Sequence, residues 1–326
     1  GTNIEDIFVR DLQTGTTELI SIDSSGVNQS TAHNQLSPGR AISADGRYIL
    51  FETRADNLFP TSESPNVFMR DRQLGTTTAV SVHVNGSTAV GGAGGSMTPD
   101  GRFVAFVSAA SNLVAGIADG NAATDVFLRD MQSGTTRLVS ANAAGTSTGN
   151  RASGTGQYPF DFSAGPPTIT PDGRFVAFAS EASDLAGGVT DANDGQVGSF
   201  GTRRRDVFVR DMLSNATSVV SINRDGTASG NDGSYTPAMS SDGETIAFES
   251  YAADLVGGQD NLGDVDIFVR DRTAQQTQLA SHRSPLLPDW RLKNGPSEFD
   301  SATPDGRFVS FRSGGVVYVR DRVTAL

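Results

Sequence analysis

One six-residue phrase recurs along the chain and constrains its architecture more than any other feature. It reads Asp6-Ile7-Phe8-Val9-Arg10-Asp11, Asn66-Val67-Phe68-Met69-Arg70-Asp71 and Asp125-Val126-Phe127-Leu128-Arg129-Asp130. It returns as Asp206-Val207-Phe208-Val209-Arg210-Asp211 and Asp266-Ile267-Phe268-Val269-Arg270-Asp271, and a worn copy, Val317-Tyr318-Val319-Arg320-Asp321, stands near the end. Between these copies lies a second phrase, seen in Ala44-Asp45-Gly46-Arg47-Tyr48-Ile49-Leu50-Phe51, Pro99 to Phe106, Pro171 to Phe178, Ser241 to Phe248 and Pro304 to Phe311. After each Arg-Asp come a turn and a further strand, as in Gly75-Thr76-Thr77-Thr78-Ala79-Val80-Ser81. A long chain of short, similar units is normally one closed or stacked architecture. The 326 residues, which by length alone would allow two domains, are therefore expected to form one domain spanning 1–326.

Each piece of the unit has legible physics. Asp-Gly supplies the positive φ of a tight hairpin turn. The segments between turns are short, alternating, and β-branched or aromatic, which is strand chemistry. One unit thus reads as strand A up to the Asp-Gly turn, strand B, a loop, strand C carrying Phe and Arg-Asp, a turn, and strand D. Four-stranded antiparallel units at this period predict the blades of an all-β propeller. Strands are expected in blades over about 5–22 (partial), 36–83, 97–141, 168–222, 236–282 and 300–326. Six strand-C phrases against five Asp-Gly turns favour six blades; five blades plus a closing hairpin are the alternative. Either strands A and B of the first blade lie upstream of Gly1, or the ring closes in an unusual way.

The Pro-Asp-Gly-Arg-Phe-Val-Ala-Phe and Asp-Val-Phe-Val-Arg-Asp phrases resemble the TolB-like (WD40-like) β-propeller repeat, over nearly the whole chain. The resemblance implies the fold. It implies no single function, because propellers of this type include partner-binding modules, peptidase gating domains and a few lyases.

Composition narrows the partners. Formal charge is −12 and the sole basic cluster is Arg203-Arg204-Arg205, so a nucleic-acid surface is not expected. There is no cysteine, which excludes disulfides and thiol nucleophiles. No run approaches the roughly 18 apolar residues of a membrane-crossing helix, so no membrane insertion is expected. No signal peptide is present, and Gly1-Thr2 opens directly onto a strand, as expected of a mature or trimmed chain or a fragment. The expected location is extracellular, periplasmic or cell-surface, and the expected state a monomer.

In a propeller the A–B and C–D turns share one face, and the B–C and D–A connections share the other. Here the first set is short and uniform while the second varies, which points to the second as the functional face. Its B–C loops gather oxygen side chains: Asn112, Asp119, Asn121 and Asp125 in blade three; Asp184, Asp191, Asn193, Asp194 and Asp206 in blade four; Asp254, Asp260, Asn261, Asp264 and Asp266 in blade five. Ca²⁺ takes six to eight oxygens in irregular geometry, so Asp119, Asn121, Asp125, Asp191, Asp194, Asp206, Asp260, Asn261, Asp264 and Asp266 are candidate ligands. Blade two, with Asn57, Glu63 and Asn66, is degenerate. The competing reading makes these residues Asx turns and strand caps.

Three insertions break the repeat on the same face. Residues 150–167 carry Tyr158, Phe160 and Phe162; residues 187–205 carry Phe200 and the three arginines; residues 283–299 carry Trp290, Arg291 and Lys293. Tyr158, Phe160, Phe200, Arg203, Arg204, Trp290 and Arg291 are candidate contacts for a glycan or protein; a lid packed over the pore mouth is the alternative. The recurrent Arg-Asp pair is expected to be architectural, linking blades or reaching an Asp-Gly turn. His33, His83 and His282 flank no matching motif, whereas a TolB-like pectic lyase would gather several histidines around a metal. The sequence is thus read as a non-catalytic binding or scaffold propeller; the alternative is a hydrolase or lyase acting on polysaccharide through acidic residues of the same face.

Overall fold

A computed structural model describes residues 4–23, 26, 29–63, 65–154, 165–194, 204–257, 264–281, 297–313 and 316–323. Among them there is no α-helix, and none long and apolar enough to cross a membrane. Among the described residues the strands fall into six successive sets, the first and last of them incomplete. The first holds β1 (Phe8–Arg10) and β2 (Thr17–Leu19). The second runs β3 (Asn34–Leu36), β4 (Tyr48–Thr53), β6 (Asn66–Asp71), β7 (Thr76–Ala79), with β5 (Thr61–Glu63) in its B–C loop. After β8 (Ala89–Val90), the third runs β9 (Ala93–Met97), β10 (Phe103–Ser108), β11 (Asp125–Asp130), β12 (Thr135–Leu138).

The fourth comprises β13 (Thr168–Ile169), β14 (Phe175–Ser180), β15 (Asp206–Asp211) and β16 (Ala216–Val219). In the fifth are β17 (Ser234–Met239), β18 (Thr245–Ser250), β19 (Asp266–Asp271) and β20 (Gln276–Leu279). The sixth holds β21 (Ser297–Ala302), β22 (Phe308–Ser313) and β23 (Val316–Asp321). Pairing within each blade is antiparallel, and in blades two to five strand B lies opposite strand C Phe to Phe, as in Phe51↔Phe68, Phe106↔Phe127, Phe178↔Phe208 and Phe248↔Phe268, with Phe311↔Tyr318 in blade six.

Strand alternation divides each blade into two faces, both of them buried in blades two to five. Between blades three and four, Ala105, Val126, Leu128 and Val139 of the former meet Val176, Phe178 and Phe208 of the latter. The same positions meet at each of five seams, one core cluster per seam, joining blades one to six in succession. Among the described residues no cluster joins blade six to blade one. Phe8, on the leading face of blade one, is 59% exposed, and Val317 and Val319, on the trailing face of blade six, are 57% and 62% exposed. Their counterparts Phe268, Ile267 and Val269 in blade five are buried.

The Asp-Gly turns serve the seams as well as the hairpins. Gly173 has φ of 74°, and a Cβ there would lie 2.4 Å from the Phe103 ring of the preceding blade. Gly101 and Gly243 sit the same way over Tyr48 and Phe175. Gly173→Ala therefore combines a left-handed backbone with a ring clash. It is expected to cost on the order of 2 kcal/mol, read as a drop in the denaturation midpoint at unchanged m-value; a midpoint equal to wild type would show that the seam opens without penalty.

Two features of the variable face lie outside the sequence reading. Strand D continues into a regular hairpin before the next blade, bridged by Ile22↔Gln29, Val82↔Ala89, Ala141↔Thr148 and Ile222↔Ser229. The D–A connections are thus uniform at their start, and their variation comes afterwards. The B–C loops pair in parallel with these hairpins, through β5 with β8 and through the bridges Ala118↔Ser147 and Thr190↔Ala228.

Candidate functional site

The turn face is consumed by architecture. In four blades the Asp of Arg-Asp pairs with the Arg after the Asp-Gly turn: Asp71 with Arg47, Asp130 with Arg102, Asp211 with Arg174 and Asp321 with Arg307, at 2.6–3.0 Å. The same carboxylates accept backbone N–H groups of the C–D turn, as Asp71 does from Gln73 and Leu74. The pairing arginine and the turn N–H groups hold the carboxyls of Asp71, Asp130 and Asp211 below their usual range. The Arg of Arg-Asp points elsewhere, donating to a strand-D threonine: Arg70 to Thr77, Arg129 to Thr136, Arg210 to Thr217 and Arg270 to Thr277. In those four blades the Asp links to its own blade's Asp-Gly turn; in blade five, where Glu244 stands in place of the turn arginine, Asp271 instead faces Arg322 of blade six at 3.8 Å. A cavity of about 440 Å³ opens on this face between blades three and four. Its Arg137 is spent on Met212 O and Asn215 Oδ1, and its Arg174 on Asp211.

The other face is organised by a latch at the start of strand C. A buried serine at the end of strand D donates to the first residue of the phrase and accepts the N–H of the second. Ser21 does so with Asp6 and Ile7, Ser140 with Asp125 and Val126, Ser221 with Asp206 and Val207, Ser281 with Asp266 and Ile267. In blade two Asn66 replaces the aspartate while Ser81 still accepts from Val67. Burial raises three of these carboxyls. Asp125 is pushed up to about 7, Asp206 well above the ordinary value, and Asp266 upward as well. Nearby carboxylates add to the first two: Asp119 and Asp184 around Asp125, Asp191 and Asp254 around Asp206.

The loop residues before the latch divide by blade. In blade three Asp119 Oδ1 accepts the N–H groups of Asn121 and Ala122, an Asx turn. Asn121 Nδ2 donates to Gly149 O, Arg151 O and Asp125 Oδ1, and its Oδ1 accepts Ala123 N–H. A cavity of about 10 Å³ lies beside Asp119, Asp125 and Thr148, room for about one water. In blade four Asp191 Oδ1 accepts Asn193 N–H, and Asp194 pairs with Arg151. Asn193 is fully buried, and its Oδ1 has no partner. In blade five Asp264 stands close enough to Asp266 to raise it. Among the described residues no three His, Asp or Glu side chains gather at a point suited to a metal.

Asp260, Asn261, Tyr158, Phe160, Phe200, Arg203, Trp290 and Arg291 lie outside the described residues. Arg204 is half-buried. Its neighbour Arg205 is buried and pairs with Glu181 at 3.3 Å, a structural role the triple arginine concealed. Glu52 and Glu249 also escaped notice. They share one strand-B position, are raised by burial, and reach into the next blade, where Glu52 accepts from Gly94 and Gly95 and Glu249 from Phe299. Their signal in the sequence is a glutamate where blades three and four carry Val107 and Ala179.

No family model matches the sequence, and no curated protein matches it. Solved structures do. Dipeptidyl peptidase 4 of Porphyromonas gingivalis matches with a TM-score of 0.56 at 14% identity, over 99% of this chain and 43% of that one. The tricorn protease matches with a TM-score of 0.50 at 11% identity, over 98% and 27%. TolB from Acinetobacter baumannii matches with a TM-score of 0.46 at 13% identity, over 98% and 58%. The chain thus spans 58% or less of these three relatives. At such identities the likeness is one of fold, and with the repeated four-stranded antiparallel sheets it is that of a β-propeller.

Proposed function

We propose that the chain is a non-catalytic binding propeller, exported to the periplasm, cell surface or medium, that holds a protein or glycan against its B–C and D–A loops with Ca²⁺ as a structural cofactor. The contrast between the faces carries this reading: the turn face clasps its own charges into uniform turns, while the other presents loops of unequal length, including the three insertions. The paired variant Trp290→Ala with Arg291→Ala is expected to weaken capture of a ligand from a printed glycan array at least tenfold at unchanged far-UV circular dichroism. Cleavage of a polysaccharide by the wild type, abolished by one carboxylate replacement, would instead make the protein a hydrolase or lyase. Ca²⁺ binding the folded state alone raises stability by about 2.7 kcal/mol at a hundredfold excess over Kd. Melting with Ca²⁺ against chelator reads that shift directly, and coincident curves would remove calcium from the proposal.

A further inference from the structure

Asn121 and Asn193 occupy the same place in successive B–C loops, two residues after an aspartate and shortly before a latch aspartate. Their surroundings differ. Asn121 is satisfied at both ends of its amide, as described above. Asn193 is wholly buried where Asn121 is half-buried, yet its Nδ2 reaches only Arg205 O at 3.5 Å, and its Oδ1 meets no donor. A buried amide oxygen without a donor is a costly exception in a folded protein.

Two carboxylates meet the turn that carries it: Asp191 Oδ1 accepts the Asn193 N–H, and Ser229, which donates to Asp206, accepts the Ala192 N–H. Asp206, whose carboxyl follows the Arg205 carbonyl, is 2% exposed. Its acceptors take the hydroxyls of Ser221 and Ser229, and no ion pair to it stands among the described residues. Asp191 is near enough to raise Asp206 and is itself held by the Asn193 N–H. The 3.5 Å separation lies beyond the usual N–H···O range of about 2.7–3.2 Å. It suits two oxygens around one cation held at about 2.3–2.6 Å from each, once the Asn193 amide is turned end for end. Exchanging amide O and N costs nothing in shape.

We propose that the blade-four B–C loop is a Ca²⁺ site in which Asp191, Asn193 and Asp206 supply side-chain oxygens and Arg205 a backbone carbonyl, water completing the shell. This rests on the calcium reading above and narrows it to one loop. Two carboxylates and two neutral oxygens are a hard donor set, which favours Ca²⁺ over softer metals. In blade three the equivalent space is filled by the Asn121 amide N–H groups, so no ion is expected there.

The test is calorimetric titration of chelator-stripped full chain with CaCl₂, repeated on Asn193→Ala, Asp191→Asn and, as a control in blade three, Asp119→Asn. One site is expected in the wild type and in Asp119→Asn, with affinity at least tenfold weaker in both blade-four variants. Asp191→Asn changes a partly exposed loop side chain, so it remains informative if Asn193→Ala fails to fold. Undiminished binding in both blade-four variants would overturn this site while leaving calcium elsewhere in the chain. No binding by the wild type would overturn the calcium reading itself.

Discussion

Phe268→Ala is expected to cost about 3–5 kcal/mol, while Phe8→Ala, at the same repeat position, should change stability by no more than about 0.5 kcal/mol. Phe268 is wholly buried, stacks on Phe248 with ring centroids 5.8 Å apart, and belongs to the core between blades four and five. Removing it leaves a cavity walled by Phe175, Ile246 and Phe248, strand residues with little freedom to collapse inward. Phe8 has the same neighbours along its own strand but, among the described residues, no strand B beside it, and more than half of its surface is open. Urea denaturation of the two variants measures the difference. A large loss for both would mean that blade one's leading face is covered in solution. A small loss for both would mean that the seams contribute less than their burial implies.

The fold was legible because the repeat states it several times over. Asp-Gly turns, alternating strands and the Phe of strand C each recur at fixed distances, so an ambiguity in one blade is settled by the next. The resemblance to a TolB-like repeat rested on the same residues, and the propeller fold it implies is the one the strands build. Which face each charge serves was less legible. The Arg-Asp pair reads as one unit in sequence, but alternation sends Arg210 to Thr217 and Asp211 to Arg174. Only the B–C pairing register, which joins Phe175 to Asp211, places the turn arginine within reach.

The candidate site was legible as composition and illegible as geometry. Asp125, Asp206 and Asp266 stand out as carboxylates near asparagines, and the sequence grouped them with loop residues such as Asp119. What separates them is the serine about fifteen residues onward, at the end of strand D, an interval that carries meaning only after the C–D hairpin closes. The latch turns the first residue of the phrase inward as a buried acid and leaves Asp119 outside as a turn former. Asn193 was visible but indistinguishable from Asn121, since their difference lies in what the neighbouring blade's backbone offers.

Asp125→Asn should abolish a pH dependence of stability that the wild type shows between about pH 4 and 7, leaving the variant more stable than the parent at pH 8. The Asp125 carboxyl is pushed from 3.8 to about 7, first by burial and then by Asp119 and Asp184, against the hydrogen bonds from Ser140 and Asn121. A carboxyl whose folded value is raised favours the fold when protonated. Its contribution is complete below pH 3.8 and is lost as pH rises through 7. A shift of that size corresponds to at most about 4 kcal/mol. Asp71, Asp130 and Asp211 work in the opposite sense, their values lowered by pairing, so their contribution is present at neutral pH and lost in acid. The difference between wild type and Asp125→Asn cancels those shared terms and isolates the latch. Asparagine is the fitting replacement because blade two already uses it: Asn66 donates to Glu63 O and accepts from Gly91 N–H while Ser81 keeps its bond to Val67. Denaturation in chelator at pH 4, 6 and 8 is the measurement. Near-equal stability at pH 4 with a growing advantage for the variant toward pH 8 is the expected pattern. A constant difference across that range would mean that Asp125 is ionised in the fold at neutral pH, and that the Ser140 and Asn121 donors outweigh its burial.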